Sequence, residues 1–106
     1  MSSVEQARKL ALALPGAVER DHHGRPSFRL DGRIFATLWD GEHMNVMVDE
    51  GGIRTYVERD PRAYAEVWWG KRVAAVRVTL AALGDAELGE LLADAWEHKG
   101  GSAREG

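Results

Sequence analysis

Two Asp-Gly pairs, Asp31-Gly32 and Asp40-Gly41, constrain this chain more than any other feature. Each lies between runs that alternate apolar and polar residues. Asp-Gly in that setting is a strong hairpin signal. A two-residue type I′ turn needs positive φ at both central positions, and Asp and Gly reach that region at low cost. The flanking runs, residues 27–30, 33–39 and 43–48, predict a three-strand meander. Alternation puts Ile34, Ala36 and Leu38 on one face of the middle strand and Phe35, Thr37 and Trp39 on the other. In the third strand Met44, Val46 and Val48 oppose His43, Asn45 and Met47.

The remaining pattern fits around this meander. Val4, Ala7, Leu10, Ala11 and Leu14 recur at helical spacing, so residues 3–14 read as a helix capped by Ser2 or Ser3 and ended by Pro15-Gly16. Residues 18–22 read as a polar edge strand. Arg25-Pro26 marks a boundary, because proline has no N–H for a central ladder. Gly51-Gly52 breaks the third strand, and residues 53–59 form a short helix stopped by Asp60-Pro61. Residues 63–68 and 72–80 read as strands joined by a tight turn at Trp69-Gly70-Lys71. In the second of these, Val73, Ala75, Arg77 and Thr79 alternate against Ala74, Val76, Val78 and Leu80. Asp85 is expected to cap a last helix, whose Leu88, Leu91, Leu92, Ala95 and Trp96 form an apolar stripe closed by Gly100. The order is α-β-β-β-β-α-β-β-α with hairpin connections. It implies an antiparallel sheet with helices on one face, a two-layer α+β domain. The domain is expected over residues 1–100, with 101–106 as a flexible tail.

Composition narrows the function classes. There is no cysteine, hence no disulfide, thiolate metal site or cysteine nucleophile. No apolar stretch approaches the roughly 20 residues that span a bilayer, and the N-terminus lacks the pattern of a signal peptide. A cytoplasmic monomer or weak dimer without membrane contact is the expectation. The net charge is −3. Residues 78–106 carry only Lys99 and Arg104 against six carboxylates, whereas residues 20–77 carry ten cations and nine carboxylates. The acidity therefore belongs to the C-terminal segment. Strong non-specific binding to phosphates usually accompanies a clear basic excess, which the whole chain lacks.

Several local motifs resemble the MmcQ/YjbR family of small bacterial proteins. Leu12-Ala13-Leu14-Pro15-Gly16-Ala17-Val18-Glu19 is similar to the family's first helix, its "LPG" break and the entry to its first strand. Gly24-Arg25-Pro26-Ser27-Phe28-Arg29-Leu30-Asp31-Gly32-Arg33-Ile34-Phe35-Ala36 is similar to its "G-x-P-x-F-x-V-x-G-K-x-F-A" hairpin, with Arg33 where lysine is common. Val76-Arg77-Val78, Asp85-Ala86-Glu87-Leu88 and Ala95-Trp96 are similar to its last strand and final helix. The resemblance covers about residues 7–98. It implies a CyaY-like α+β fold and DNA binding through two basic hairpins that act as wings. No cofactor is expected.

The residues themselves offer matching candidates. Trp68-Trp69-Gly70-Lys71-Arg72 combines aromatic rings with cations at a hairpin tip, and with Arg77 gives three cations and no carboxylate over residues 67–77. Such a segment suits base stacking and phosphate pairing. Arg25, Arg29 and Arg33 around the first Asp-Gly turn would form the other wing, with Arg25 and Arg29 on one face if no bulge intervenes. The simpler alternative is that these cations are solvated and the tryptophans pack. His22, His23 and His43 are weak metal candidates, because adjacent residues of a strand point to opposite faces. No nucleophile motif is present, so the chain reads as a non-enzyme. The competing reading is a protein-interaction or small-ligand-binding domain that uses a Trp-rich sheet face around Trp39 and Trp69.

Overall fold

The computed structural model describes residues 1–101. The elements follow in the order α1 (Val4–Leu12), β1 (Val18–His22), β2 (Arg25–Leu30), β3 (Arg33–Leu38), β4 (His43–Val46), α2 (Glu50–Arg59), β5 (Tyr64–Trp69), β6 (Arg72–Thr79), a 3₁₀ turn (Leu80–Ala82) and α3 (Asp85–His98). The strands form one antiparallel sheet in the order β1-β2-β3-β4-β6-β5. α3 lies across β3 and β4, α2 across β5 and β6, and α1 packs on α3. This is the expected two-layer α+β architecture. No helix among the described residues is long and apolar enough to cross a membrane. Of the expected tail, residues 102–106 lie outside the described residues. Gly101 donates its N–H to the Trp96 carbonyl oxygen at 2.9 Å.

One core fills the space between the layers. The sheet contributes Phe28, Phe35, Met44, Val46, Val76 and Val78, and α3 adds Leu88, Leu91, Leu92 and Trp96. Trp96 satisfies its indole N–H on the Pro15 carbonyl oxygen at 2.8 Å, which lets a large polar-tipped ring stay buried. This bond also ties the end of the last helix to the turn after the first.

Two helix starts differ from expectation. α2 begins at Glu50 and takes in both Gly51 and Gly52, because Asp49 caps it by accepting the Gly52 N–H at 2.7 Å. Gly84, not Asp85, is the N-cap of α3. Asp85 is instead its first residue, where a carboxylate suits the helix dipole and accepts the Ser2 hydroxyl at 2.8 Å.

The turns also redistribute the glycine signals. Asp31 and Gly32 have φ of 51° and 81°, the expected type I′ pattern. Asp40 and Gly41 do not reach positive φ. There the Asp40 carboxylate accepts the N–H groups of Glu42 and His43, both at 2.8 Å, and the loop closes through Trp39 N–H to the His43 carbonyl at 3.0 Å. Aspartate can order a turn by this side-chain route without left-handed backbone. A further type I′ turn stands at His23-Gly24, with φ of 54° and 84°. It makes Arg25 and Pro26 the start of a strand paired to the edge strand β1 rather than a boundary.

Two bulges overturn the simple alternation. Phe28 pairs with Ala36, but Arg29 pairs with Ile34, so Phe35 is an extra residue in β3. The bulge turns Phe35 into the core beside Ala36 and moves Ile34 to the opposite face, the reverse of the expected assignment. Likewise Val67 pairs with Ala75 while Trp68 pairs with Val73, so Ala74 is extra in β6. Val73 thereby joins Val76 and Val78 in the core instead of sharing a face with Arg77.

Candidate functional site

The sheet face opposite the helices is the most distinctive surface. Its register sets Ser27 beside Thr37, Thr37 beside Asn45 and Asn45 beside Arg77, a polar row across four adjacent strands. Around this row lies a groove of about 820 Å³. Arg25, Arg29, Arg33, Arg77 and Lys99 supply its cations, and Trp39, Trp68 and Trp69 its aromatic surface. Among the described residues, no carboxylate lines it. The carboxylates of the last helix sit on the other layer. The charge balance of the sequence therefore hides a segregation: acid on α3, base on the open face.

The arginines are held in place by neutral groups. Arg25 donates Nε–H to the Trp39 carbonyl oxygen at 2.9 Å, and its guanidinium carbon lies 4.0 Å from the Trp39 ring centroid. Arg77 donates Nε–H to Asn45 Oδ1 at 2.9 Å and approaches the same ring at 4.6 Å. Arg29 donates Nε–H to Ser27 Oγ at 3.2 Å, and Ser27 donates its own hydroxyl to the Arg20 carbonyl at 2.8 Å. Among the described residues, none of these three guanidiniums is in an ion pair. Each is oriented through Nε, so its terminal nitrogens remain for an external anion. Cation–π contacts of this kind contribute about 0.5–2 kcal/mol each, enough to restrain the side chains before any ligand arrives.

The structure sorts the expected site residues. Arg25, Arg29, Arg33, Arg77 and Trp69 come together on the groove. Lys71 does not line it, and Arg72 turns to a separate hollow that it shares with Asp49 and Glu50. The Asp31-Gly32 and Gly70-Lys71 turns do lie at the same end of the sheet, as the register of β2 to β6 requires. Each closes directly on the last paired residues, Leu30 with Arg33 and Trp69 with Arg72, and both hairpins run on past the end of β4 at Val46, which pairs with Ala36 and Val76. Of the four tryptophans, Trp96 is core, whereas Trp39, Trp68 and Trp69 are 37%, 53% and 63% exposed.

The histidines are divided. His22 and His23 stack edge-on at 4.5 Å beside the groove, while His43 Nδ1 contacts Asp40 at 2.9 Å in the β3–β4 loop. Among the described residues, no group of three or more His, Cys, Asp or Glu gathers as for a metal. The two backbone N–H groups, first that of Glu42, and the His43 ring hold the Asp40 carboxyl below the ordinary aspartate range.

Sequence reading missed Lys99, Thr37, Asn45, Ile34 and Met47 as parts of the groove. Thr37 and Asn45 are paired by the β3–β4 hairpin, but Arg77 joins them only because β6 inserts between β4 and β5, and no local motif reports strand order.

A small α+β domain with a cationic open sheet is the class these features define. The YjbR family model matches residues 12–98, and the chain belongs to that family. Among solved structures it is similar to protein DR2400 of Deinococcus radiodurans, described with the family-model domain DUF419. The two align with a TM-score of 0.77 and 22% identity over 99% of this chain and 86% of the other, a likeness of fold. No curated protein matches the chain.

Proposed function

We propose that this YjbR-family protein binds nucleic acid, as the DNA-binding reading of the resemblance suggests, and that the strand lies across the open sheet face rather than on hairpin tips. The observation that carries the reading is the charge segregation. A chain of net charge −3 puts five cations and, among the described residues, no carboxylate around one groove. Guanidiniums with free terminal nitrogens pair with phosphate oxygens in a forked geometry, and Lys99 adds a point charge at the rim. The face is suited to binding rather than catalysis, because its most buried hydroxyl, Ser27, gives its proton to a backbone carbonyl and has no adjacent base.

The test is electrostatic. Fluorescence anisotropy with labelled oligonucleotides should show log K falling linearly with log salt. The double variant Arg29→Gln/Arg77→Gln should lower the magnitude of that slope by roughly one to two. Absence of binding to any nucleic acid at about 50–100 mM salt sinks the proposal. A second reading, an anionic small ligand, is favoured by the groove volume alone, which falls in the usual range of ligand pockets, about 300–1,000 Å³. It predicts a thermal shift with small phosphates or carboxylates and none with oligonucleotides.

A further inference from the structure

We infer that the nucleic acid taken by this face is a single strand with its bases unstacked onto the β5 edge, an inference that rests on the nucleic-acid reading above. Three observations favour it over a duplex. First, Arg25, Arg29, Arg33 and Arg77 lie on strands, whereas α2 is charge-balanced and α3 carries five carboxylates, so the basic surface is not a helix that enters a major groove. Second, Arg25, Arg29 and Arg77 stand on the sheet face beside the polar row, and Lys71 at the β5–β6 tip lies outside the groove, so the cations gathered there are not those of a ribbon tip that enters a major groove. Third, the largest exposed apolar surfaces next to the cations are the rings of Trp68 and Trp69, at 53% and 63% exposure. A duplex offers sugar and phosphate to such a surface, and indole gains little from either. A single strand offers free π-faces, which stack on aromatic side chains irrespective of base identity.

The arrangement divides the labour across the sheet. Arg29 and Arg77, anchored on Ser27 and Asn45, stand at the polar centre where phosphates would run. Trp39 is already occupied by two guanidiniums, so it organises cations rather than receiving a base. Trp69 is left as the stacking ring, while Trp68, paired with the core residue Val73, is held at the β5 edge by donating its indole N–H to Glu66 Oε1 at 3.2 Å. Sheet platforms of comparable size stack about two or three bases.

The experiment compares four probes of one length and sequence in the same buffer: single-stranded DNA, single-stranded RNA, duplex DNA, and an abasic DNA strand that keeps the phosphates. Single strands should bind at least about tenfold more tightly than duplex and should quench tryptophan fluorescence. The abasic strand should lose most of that affinity. Trp69→Ala should weaken single-strand binding by roughly 5- to 150-fold, the range of one base–aromatic stack, and Trp69→Phe should restore much of it. Trp69 is exposed, and a circular-dichroism melt checks that the fold is unchanged. The two single-stranded arms show which sugar is preferred, and either preference satisfies the inference. Duplex or abasic DNA binding as tightly as the normal strand overturns it while leaving the nucleic-acid reading intact. Failure of all four probes to bind overturns both.

Discussion

The bulge at Phe35 makes a claim that simple alternation contradicts, and paired truncations separate the two. Phe35 has 0% exposure and packs with Phe28 and Ala36, whereas Ile34 is half-buried on the groove. Truncating a fully buried phenylalanine removes its transfer free energy and leaves a cavity, about 3–5 kcal/mol together. Small domains have about 5–15 kcal/mol in total, so Phe35→Ala should sit close to the limit of folding. Each kcal/mol lowers Tm by roughly 4–8 °C at this size, so a fall of about 12 °C or more is expected. Ile34→Ala forfeits only part of a side chain already in contact with water, about 1 kcal/mol. Urea melts followed by circular dichroism provide the ranking, with Phe35→Leu as a partial rescue that keeps most of the volume. If Ile34→Ala costs as much as Phe35→Ala, the bulge is misplaced, and with it the face on which Arg29 and Ile34 stand.

Other consequences follow from the turns, the tyrosines and the hairpin tip. Gly24→Ala and Gly32→Ala should each cost about 1–2 kcal/mol, because both glycines have φ above 80°, whereas Gly41→Ala should be nearly neutral. Equal costs at all three positions would contradict the Asp40-ordered loop. The two tyrosines are Tyr56, whose hydroxyl donates to Asp94, and Tyr64, whose hydroxyl donates to Glu87 at 2.7 Å. Burial first, then these carboxylates, push both phenols well above the ordinary tyrosine range. Their stabilisation is therefore complete below the unfolded tyrosine pKa of about 10 and is lost as pH rises through the folded values. An ultraviolet titration should show no tyrosinate near pH 10 while the protein is folded; ordinary ionisation of either ring there refutes the assignment. Lys71→Ala/Arg72→Ala should leave the salt dependence of nucleic-acid binding almost unchanged. A loss of slope equal to that of Arg29→Gln/Arg77→Gln would return the site to the hairpin tip.

Much of the architecture was legible because it is encoded locally. The helix stripes of α1 and α3, the Asp31-Gly32 turn and the hairpin succession each depend on neighbours a few residues apart. The departures have equally specific causes. Asp-Gly marks a turn but not its type, since aspartate can act through its side chain, as Asp40 does. A non-glycine residue at positive φ is uncommon, so His22-His23 reads as a metal pair before His23-Gly24 reads as a turn. A bulge leaves no mark in a period-two pattern when both faces carry bulk, as at Phe35 and Ala74. The groove was legible only as separate residues. Arg25 and Arg77 meet at Trp39 because strand order brings them there, and that order is set by packing between distant segments. Lys71 and Arg72 lie outside the groove although their sequence context was the more suggestive.

The four indole N–H signals of a ¹⁵N-labelled sample provide the most direct measurement of the central claim. Trp39, Trp68 and Trp69 line the groove, while Trp96 lies behind the sheet at 4% exposure, bonded to Pro15. Titration with a short single-stranded oligonucleotide should shift the first three, together with the Nε–H signals of Arg25, Arg29 and Arg77, and leave Trp96 in place. Shifts confined to the helices or to Lys71 and Arg72, with the three groove indoles unmoved, would contradict the claim that the open sheet face is the binding surface.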